Sequence, residues 1–180
     1  MRKSAMHDSS LSFGKVRLRP LEPEDLEFLY KWENDPSVWS VSNTLVPFSR
    51  YVLKQYIQES HRDLTEIRQL RLIIEDRDGK AVGAIDLFDY DPINRRAGIG
   101  ILIYEPADRR KGLATDSLLL MCEYGRNTLG LHQLYAGIGS GNPGSLSLFQ
   151  KAGFQISGTK KEWLHTPMGW NDEIFLQKIL

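Results

Sequence analysis

The sequence predicts an α/β domain built around a mixed, largely antiparallel sheet, and three observations carry that expectation. Short apolar segments of strand type recur at 69–75, 81–90, 97–104, 134–138, 154–164 and 173–179. Segments with apolar residues at helical spacing fall at 22–33, 49–62, 112–128 and 143–151. The chain has 180 residues, 41% of them hydrophobic and 26% charged, which suits one globular core. A single domain over residues 13–180 is therefore expected, behind a disordered tail at residues 1–12.

Taken in order, Val16 and Leu18 alternate with Arg17 and Arg19 as a short first strand, and Pro20 stops it. Glu22, Pro23, Glu24 and Asp25 make the acidic first turn of a helix. Leu26, Leu29, Tyr30 and Trp32 supply its apolar face, and Asn34, Asp35 and Pro36 end it. A mobile stretch is expected up to Phe48. The second helix carries Val52, Leu53, Tyr56 and Ile57 on one side. Asp76, Asp78 and Gly79 turn the strand at 69–75 into the one at 81–90, and Asp91, Pro92 and Asn94 turn that into 97–104. The third helix holds Leu113, Leu118, Leu119, Met121, Cys122 and Tyr124. Strand, short helix and two strands follow, with no internal repeat.

Lys plus Arg and Asp plus Glu both number 23, so no global field recruits nucleic acid or an anionic membrane. The basic run at 109–111 has no aromatic platform beside it, which argues further against nucleic acid. A single cysteine rules out an intramolecular disulfide and a zinc site of several thiolates, and the four histidines have no partners at metal-ligand spacing. The N-terminus lacks the apolar stretch of a signal peptide, and no apolar run is long enough to span a bilayer. The expectation is a cytoplasmic protein with neither membrane nor nucleic-acid partner and no metal. Self-association is left open.

One segment carries chemistry. Arg109, Arg110, Lys111, Gly112, Leu113, Ala114 and Thr115 follow a strand and open a helix. Unpaired N–H groups at a helix N-terminus, the positive end of its dipole and nearby cations suit a pyrophosphate. Gly112 and Ala114 lack the bulk that would keep phosphate oxygens from the backbone. A solvated basic turn capping an ordinary helix is the alternative.

The chain resembles the GNAT superfamily of N-acetyltransferases, whose pyrophosphate loop reads Gln or Arg, two residues, Gly, one residue, Gly or Ala. Arg109, Gly112 and Ala114 fit it. Asn142, Ser145, Leu148 and Phe149, then Lys151, Gly153 and Phe154, resemble a second family segment, and residues 16–26 resemble the opening of the spermidine and ribosomal-protein acetyltransferase branch. The resemblance covers roughly residues 15–180. It implies a GNAT-like sheet with a splayed central strand flanked by helices, and acetyl-CoA as cosubstrate. It also implies main-chain contacts from Ile101, Leu102 and Ile103 to pantetheine, with Asn142, Ser145, Phe149 and Lys151 along the same arm. Core packing by the three strand residues is compatible with that role.

Acetyl transfer to an amine requires a neutral nucleophile, a stabilised oxyanion and a proton for the leaving thiolate, with no acyl-enzyme. Cys122, among Leu and Met in mid-helix, reads as core. Asp86 is the first candidate for holding the substrate ammonium or relaying its proton, with a solvated strand acid as the alternative. Asp86 and Asp89, three apart, share a face only if a bulge intervenes. Glu105 is the second candidate base or a loop charge, and Asn142 a further catalytic candidate. His165 is a candidate for shaping the acceptor mouth. Two departures from the family stand out: Ser40, Ser42, Asn43 and Thr44 lie where spermidine acetyltransferases carry adjacent acids, and Phe149 replaces the tyrosine of many relatives. The acceptor expected is a small-molecule or peptide amine, polyamine-like first and a protein N-terminus second, with a catalytically reduced CoA-binding module as the other class.

Overall fold

Eight strands form one sheet: Leu11–Phe13 (β1), Val16–Pro20 (β2), Leu70–Glu75 (β3), Ala81–Asp91 (β4), Arg96–Ile103 (β5), Gln133–Gly139 (β6), Gln155–Thr166 (β7) and Gly169–Ile179 (β8). Their order is β1-β2-β3-β4-β5-β6-β8-β7, antiparallel throughout except for the β5–β6 pair. The computed structural model describes residues 11–36, 38–39 and 45–180. Ser40, Ser42, Asn43 and Thr44, and the expected tail as far as residue 10, lie outside the described residues. The helices among those described are Leu26–Glu33 (α1), Arg50–Glu59 (α2), Leu64–Ile67 (α3), Leu113–Asn127 (α4) and Pro143–Lys151 (α5).

The sheet separates two cores. On one face α4 and α5 bury Leu118, Met121 and Phe149 against Leu72, Ile85, Ile99, Leu134 and Leu176. On the other, α1 and α2 bury Leu29, Trp32, Leu53 and Ile57 against Ile73, Ala84 and Tyr104. Each fully buried aliphatic side chain contributes about 1.5–3 kcal/mol. Among the described residues the apolar cluster under these helices takes in β3, β4 and Leu102 near the end of β5 but no residue of β6 or β8, so the β6 and β8 portion is left open.

Local chemistry explains the element ends. Ser49 caps α2 by accepting from the Val52 N–H at 3.2 Å. Asp25, 1% exposed, closes the turn before α1 by accepting from the Glu22 N–H at 2.8 Å, and Arg19 neutralises it with a two-pronged contact at 2.7 and 2.9 Å. Two elements depart from the sequence expectation. Residues 11 and 12, expected in the tail, form a strand with Phe13, because Gly14, at φ +57°, folds them back onto β2. The single turn α3, started by an Asp63 cap, is too short to leave a periodic signal. The β7–β8 hairpin is also longer than expected, placing His165 edge-on to Trp170 near its tip.

Candidate functional site

The parallel pairing of β5 with β6 runs only through Arg96↔Gln133, Ala97↔Leu134 and Gly98↔Tyr135. Beyond Gly98 and Tyr135 the two strands part. On its other side β5 stays paired with β4 from Gly98 to Ile103. The Tyr104 N–H donates to the Val82 carbonyl at 3.0 Å. Antiparallel alternation from that bond turns the main-chain groups of Leu102 and Gly100 toward β4, and those of Ile101 and Ile103 into the gap. A cleft with an unpaired strand edge on one wall is the result. Sequence reasoning placed Ile101, Leu102 and Ile103 there; the alternation selects the main chain of Ile101 and the N–H of Ile103 as the groups on offer, the Ile103 carbonyl being taken by Arg109.

Bulge geometry helps shape the cleft's apex. The β4–β5 register shifts between Phe88 and Asp91, with Asp89 at φ +50°. Gly98 faces the Phe88 ring, where an added Cβ would lie 2.2 Å from a ring carbon, so only glycine fits. Asp86 shares the open face with Phe88, whereas Asp89, within the bulge, accepts from the Tyr135 hydroxyl at 3.3 Å.

At the wide end of the cleft, Pro106–Asp108 forms a 3₁₀ turn and Gly112 the N-cap of α4, at φ +89°. An added Cβ at Gly112 would meet nothing within 4 Å, so the loop's outer side is open. The first-turn N–H groups of Leu113, Ala114 and Thr115 have no acceptor among the described residues. The basic side chains are placed less simply than the sequence suggests. Arg109 folds back, donating to the Ile103 carbonyl at 3.0 Å and the Tyr104 carbonyl at 2.9 Å, and so braces the strand end. Lys111 and Lys80 both grip Asp108, at 2.9 and 2.6 Å, and hold its carboxyl below the usual carboxylate range. Arg110, at φ +61°, is exposed. Lys15 ties the loop to the β1–β2 turn by donating from Nζ to the Lys111 carbonyl, and its N–H to Asp116.

The remaining candidates separate. Asn142 caps α5, its Oδ1 accepting from the Ser145 N–H at 3.0 Å. Phe149 is 3% exposed, its ring edge-on to Phe154 at 5.1 Å, and Lys151 is exposed at the end of α5. Asp86 is gripped by Arg71, Nε to Oδ1 at 2.6 Å and Nη2 to Oδ2 at 3.1 Å, and Arg71 also bridges to Glu33 on α1. Both Asp86 oxygens are therefore engaged. Glu105 pairs with Lys31 at 3.1 Å and stands seven residues beyond the apex at Gly98, about 23 Å along an extended chain. That places it at the wide end, away from where the strands part. Tyr104 donates its hydroxyl to Asp35 at 2.7 Å, and that bond, reinforced by burial, pushes its pKa up to about 12. Burial likewise raises the Cys122 thiol, which keeps it protonated.

Sequence reasoning missed the floor of the open face. Tyr135 stacks on Phe175 at 5.5 Å and meets Phe88 edge-on at 6.1 Å. A cavity of about 240 Å³ lies at one end of this floor, lined in part by Asp89, Asp91, Arg96, Tyr135 and Phe175. Glu173 stands at the other end, and its position opposite Gly139 in a strand alternating with Ile174 was the available signal. Among the described residues no cluster of His, Cys, Asp and Glu could hold a metal, and no helix is long and apolar enough to cross a membrane.

A splayed parallel strand pair ending at an open helix N-terminus is the arrangement of an acyltransferase that receives its donor along main chain. Residues 15–155 match the acetyltransferase (GNAT) domain family, and the chain belongs to that family of N-acetyltransferases, whose acetyl donor is acetyl-CoA. The chain is 31% identical over 150 residues to spermidine N(1)-acetyltransferase of Escherichia coli (strain K12), covering 82% of this chain and 76% of that one. It is 44% identical to the human α/β-tubulin-N-acetyltransferase 9 over 79 residues, 43% of this chain and 38% of the relative. The crystal structure of spermidine N-acetyltransferase from Vibrio cholerae with CoA and spermine has the same fold, with a TM-score of 0.82 at 24% identity over 92% of this chain and 95% of the other.

The free N–H groups at Leu113, Ala114 and Thr115, the open space over Gly112 and the unpaired main chain at Ile101 suit the donor's diphosphate and amide-bearing arm. When bound, acetyl-CoA supplies an activated thioester.

Proposed function

We propose that this chain transfers acetyl to a primary amine by direct attack in a ternary complex, and that the acceptor is a small polyamine-like cation. The observation that carries the reading is the open sheet face at the cleft's apex, floored by Phe88, Tyr135 and Phe175 and flanked by Asp86 and Glu173 on either side. Aromatic faces attract ammonium groups and tolerate the methylene segments between them, while carboxylates supply the field. The spermidine acetyltransferase of Escherichia coli as a full-length relative supports the same acceptor class. Within the donor site, Leu113, Ala114 and Thr115 orient the diphosphate, and Ile101 and Ile103 hold the arm in register. Dependence on a metabolite made and used inside cells supports a cytoplasmic place of action.

A peptide amine is the second reading, favoured by the higher identity to the human tubulin acetyltransferase over the shorter matching segment. Initial rates of CoA release with spermidine, spermine, aminoglycosides and N-terminal peptides separate the two. Polyamine turnover at higher kcat/KM than peptide is the expected outcome. Preference for peptides would establish the second reading, and no turnover with any amine would leave a CoA-binding module.

A further inference from the structure

We propose that Glu173, on β8, is the acceptor-binding carboxylate, receiving the ammonium of the amine over the point where β5 and β6 part; this rests on the amine acetyltransferase reading above. Glu173, Phe175 and Gln177 face the open side of the sheet, because their neighbours Ile174 and Leu176 pack into the core beneath α5. The Glu173 carboxylate leans over Gly137, two residues past the last residue that β6 pairs with β5. A Cβ on Gly137 would lie 2.6 Å from the Glu173 Cδ and 2.7 and 2.9 Å from its two oxygens, so the carboxylate takes this place only because position 137 is glycine.

The two acids beside the apex differ in what they have left to give. Asp86 has both oxygens occupied by Arg71. Glu173 accepts from Lys160 Nζ at 2.6 Å through Oε1 alone, and among the described residues no donor reaches Oε2. That side chain is 15% exposed and, among the described residues, no unpartnered polar side-chain atom is buried, so Oε2 is accessible to solvent. Its partner Lys160 is 42% exposed and sits over the rings of Trp163, at 4.8 Å, and Phe175, at 5.5 Å. A cation therefore already occupies the spot beside Glu173 and above the aromatic floor. An incoming ammonium would bind in the same manner and share the carboxylate with it.

The test is steady-state kinetics with spermidine as the probe amine, on the wild type, Glu173→Gln and Lys160→Met. Glu173→Gln is expected to raise the KM for spermidine about ten- to hundredfold, the range for losing a charge-assisted hydrogen bond. Its KM for acetyl-CoA and its thermal midpoint should match the wild type. Lys160→Met, which removes the resident competitor, is expected to lower the spermidine KM. If the pair were only a structural ion pair, both variants would lose stability and activity alike. That result, or an unchanged spermidine KM in Glu173→Gln, overturns the assignment while the wild type still acetylates amines. A wild type that acetylates no amine of the panel overturns the assignment together with the reading it rests on.

Discussion

Substituting Gly112 by glutamate separates the fold of the donor loop from its charge. Gly112 has φ +89°, so any L side chain there is strained by about 1–2 kcal/mol. An anion at the first turn of α4 recovers about 0.3–1 kcal/mol from the helix dipole, and no protein atom lies within 4 Å of the new Cβ. Gly112→Glu should therefore fold, with its melting temperature lowered by only a few degrees. Ligand binding is where the cost appears. At about 5 Å and an effective dielectric of about 40, a carboxylate repels each diphosphate charge by about 1.7 kcal/mol, or roughly 3.3 kcal/mol for two. That corresponds to an acetyl-CoA Kd raised about 250-fold. Gly112→Ala carries the same backbone strain without the charge, so its Kd should remain within a few-fold of wild type. Titration calorimetry of all three proteins at low and high salt gives the answer, since the glutamate effect should shrink as salt screens it. Wild-type affinity in a folded Gly112→Glu would refute a diphosphate site at the start of α4.

Three further outcomes follow from the geometry around the cleft. Arg71→Met leaves Glu33 and Asp86 without their shared cation; with all three side chains 18–22% exposed, the loss should fall somewhat below the range for fully buried pairs, at about 2–3 kcal/mol by urea unfolding, and Arg71→Lys should recover part of it. Tyr104 titrates near 12 in the folded protein against about 10 unfolded, so the folded state keeps a proton that the unfolded state releases. Its contribution is complete below about pH 10 and declines toward pH 12, and Tyr104→Phe, compared by alkaline unfolding, should lack that decline. Phe149→Tyr adds a hydroxyl to a ring 3% exposed, which costs about 1–3 kcal/mol if it finds no partner. Turnover similar to or above wild type is expected from the variant; inactivity of the wild type with activity restored by tyrosine would mark the natural chain as a binding module.

Most strands and the long helices were legible because their apolar periods are clear; Leu118, Met121 and Cys122 on α4 and Leu53 and Ile57 on α2 are buried as their spacing predicts. β1 was not, since three residues hold too little alternation and the strand exists only by pairing with β2. The bulge in β4 could not be read either. Asp tolerates the left-handed region but does not demand it, so Asp89 became a bulge residue only through the register of β5. Asp86 was legible as an acid near the apex, while its pairing was hidden: Arg71 is 15 positions away and Glu33 lies on α1. Arg109 matched a motif, yet its guanidinium braces Ile103 and Tyr104, a use that sequence spacing does not distinguish from phosphate contact.

These differences have a common physical origin in how the two proposed substrate sites are built. The proposed donor side is made of main chain: N–H groups at Leu113, Ala114 and Thr115 and the edge at Ile101. Main chain is accessible only where side chains are small or the backbone turns unusually, so such a site leaves a local trace in glycine and alanine at fixed spacing. The proposed acceptor side is made of side chains that meet across β4, β6 and β8, from Phe88 to Phe175 in sequence, and no local spacing relates them. Even there the trace that exists is again a glycine: Gly137 is required because Glu173 needs its space. Gly137→Ala should therefore displace the carboxylate while keeping its charge, so the proposed acceptor recognition depends on a residue that itself offers no functional group.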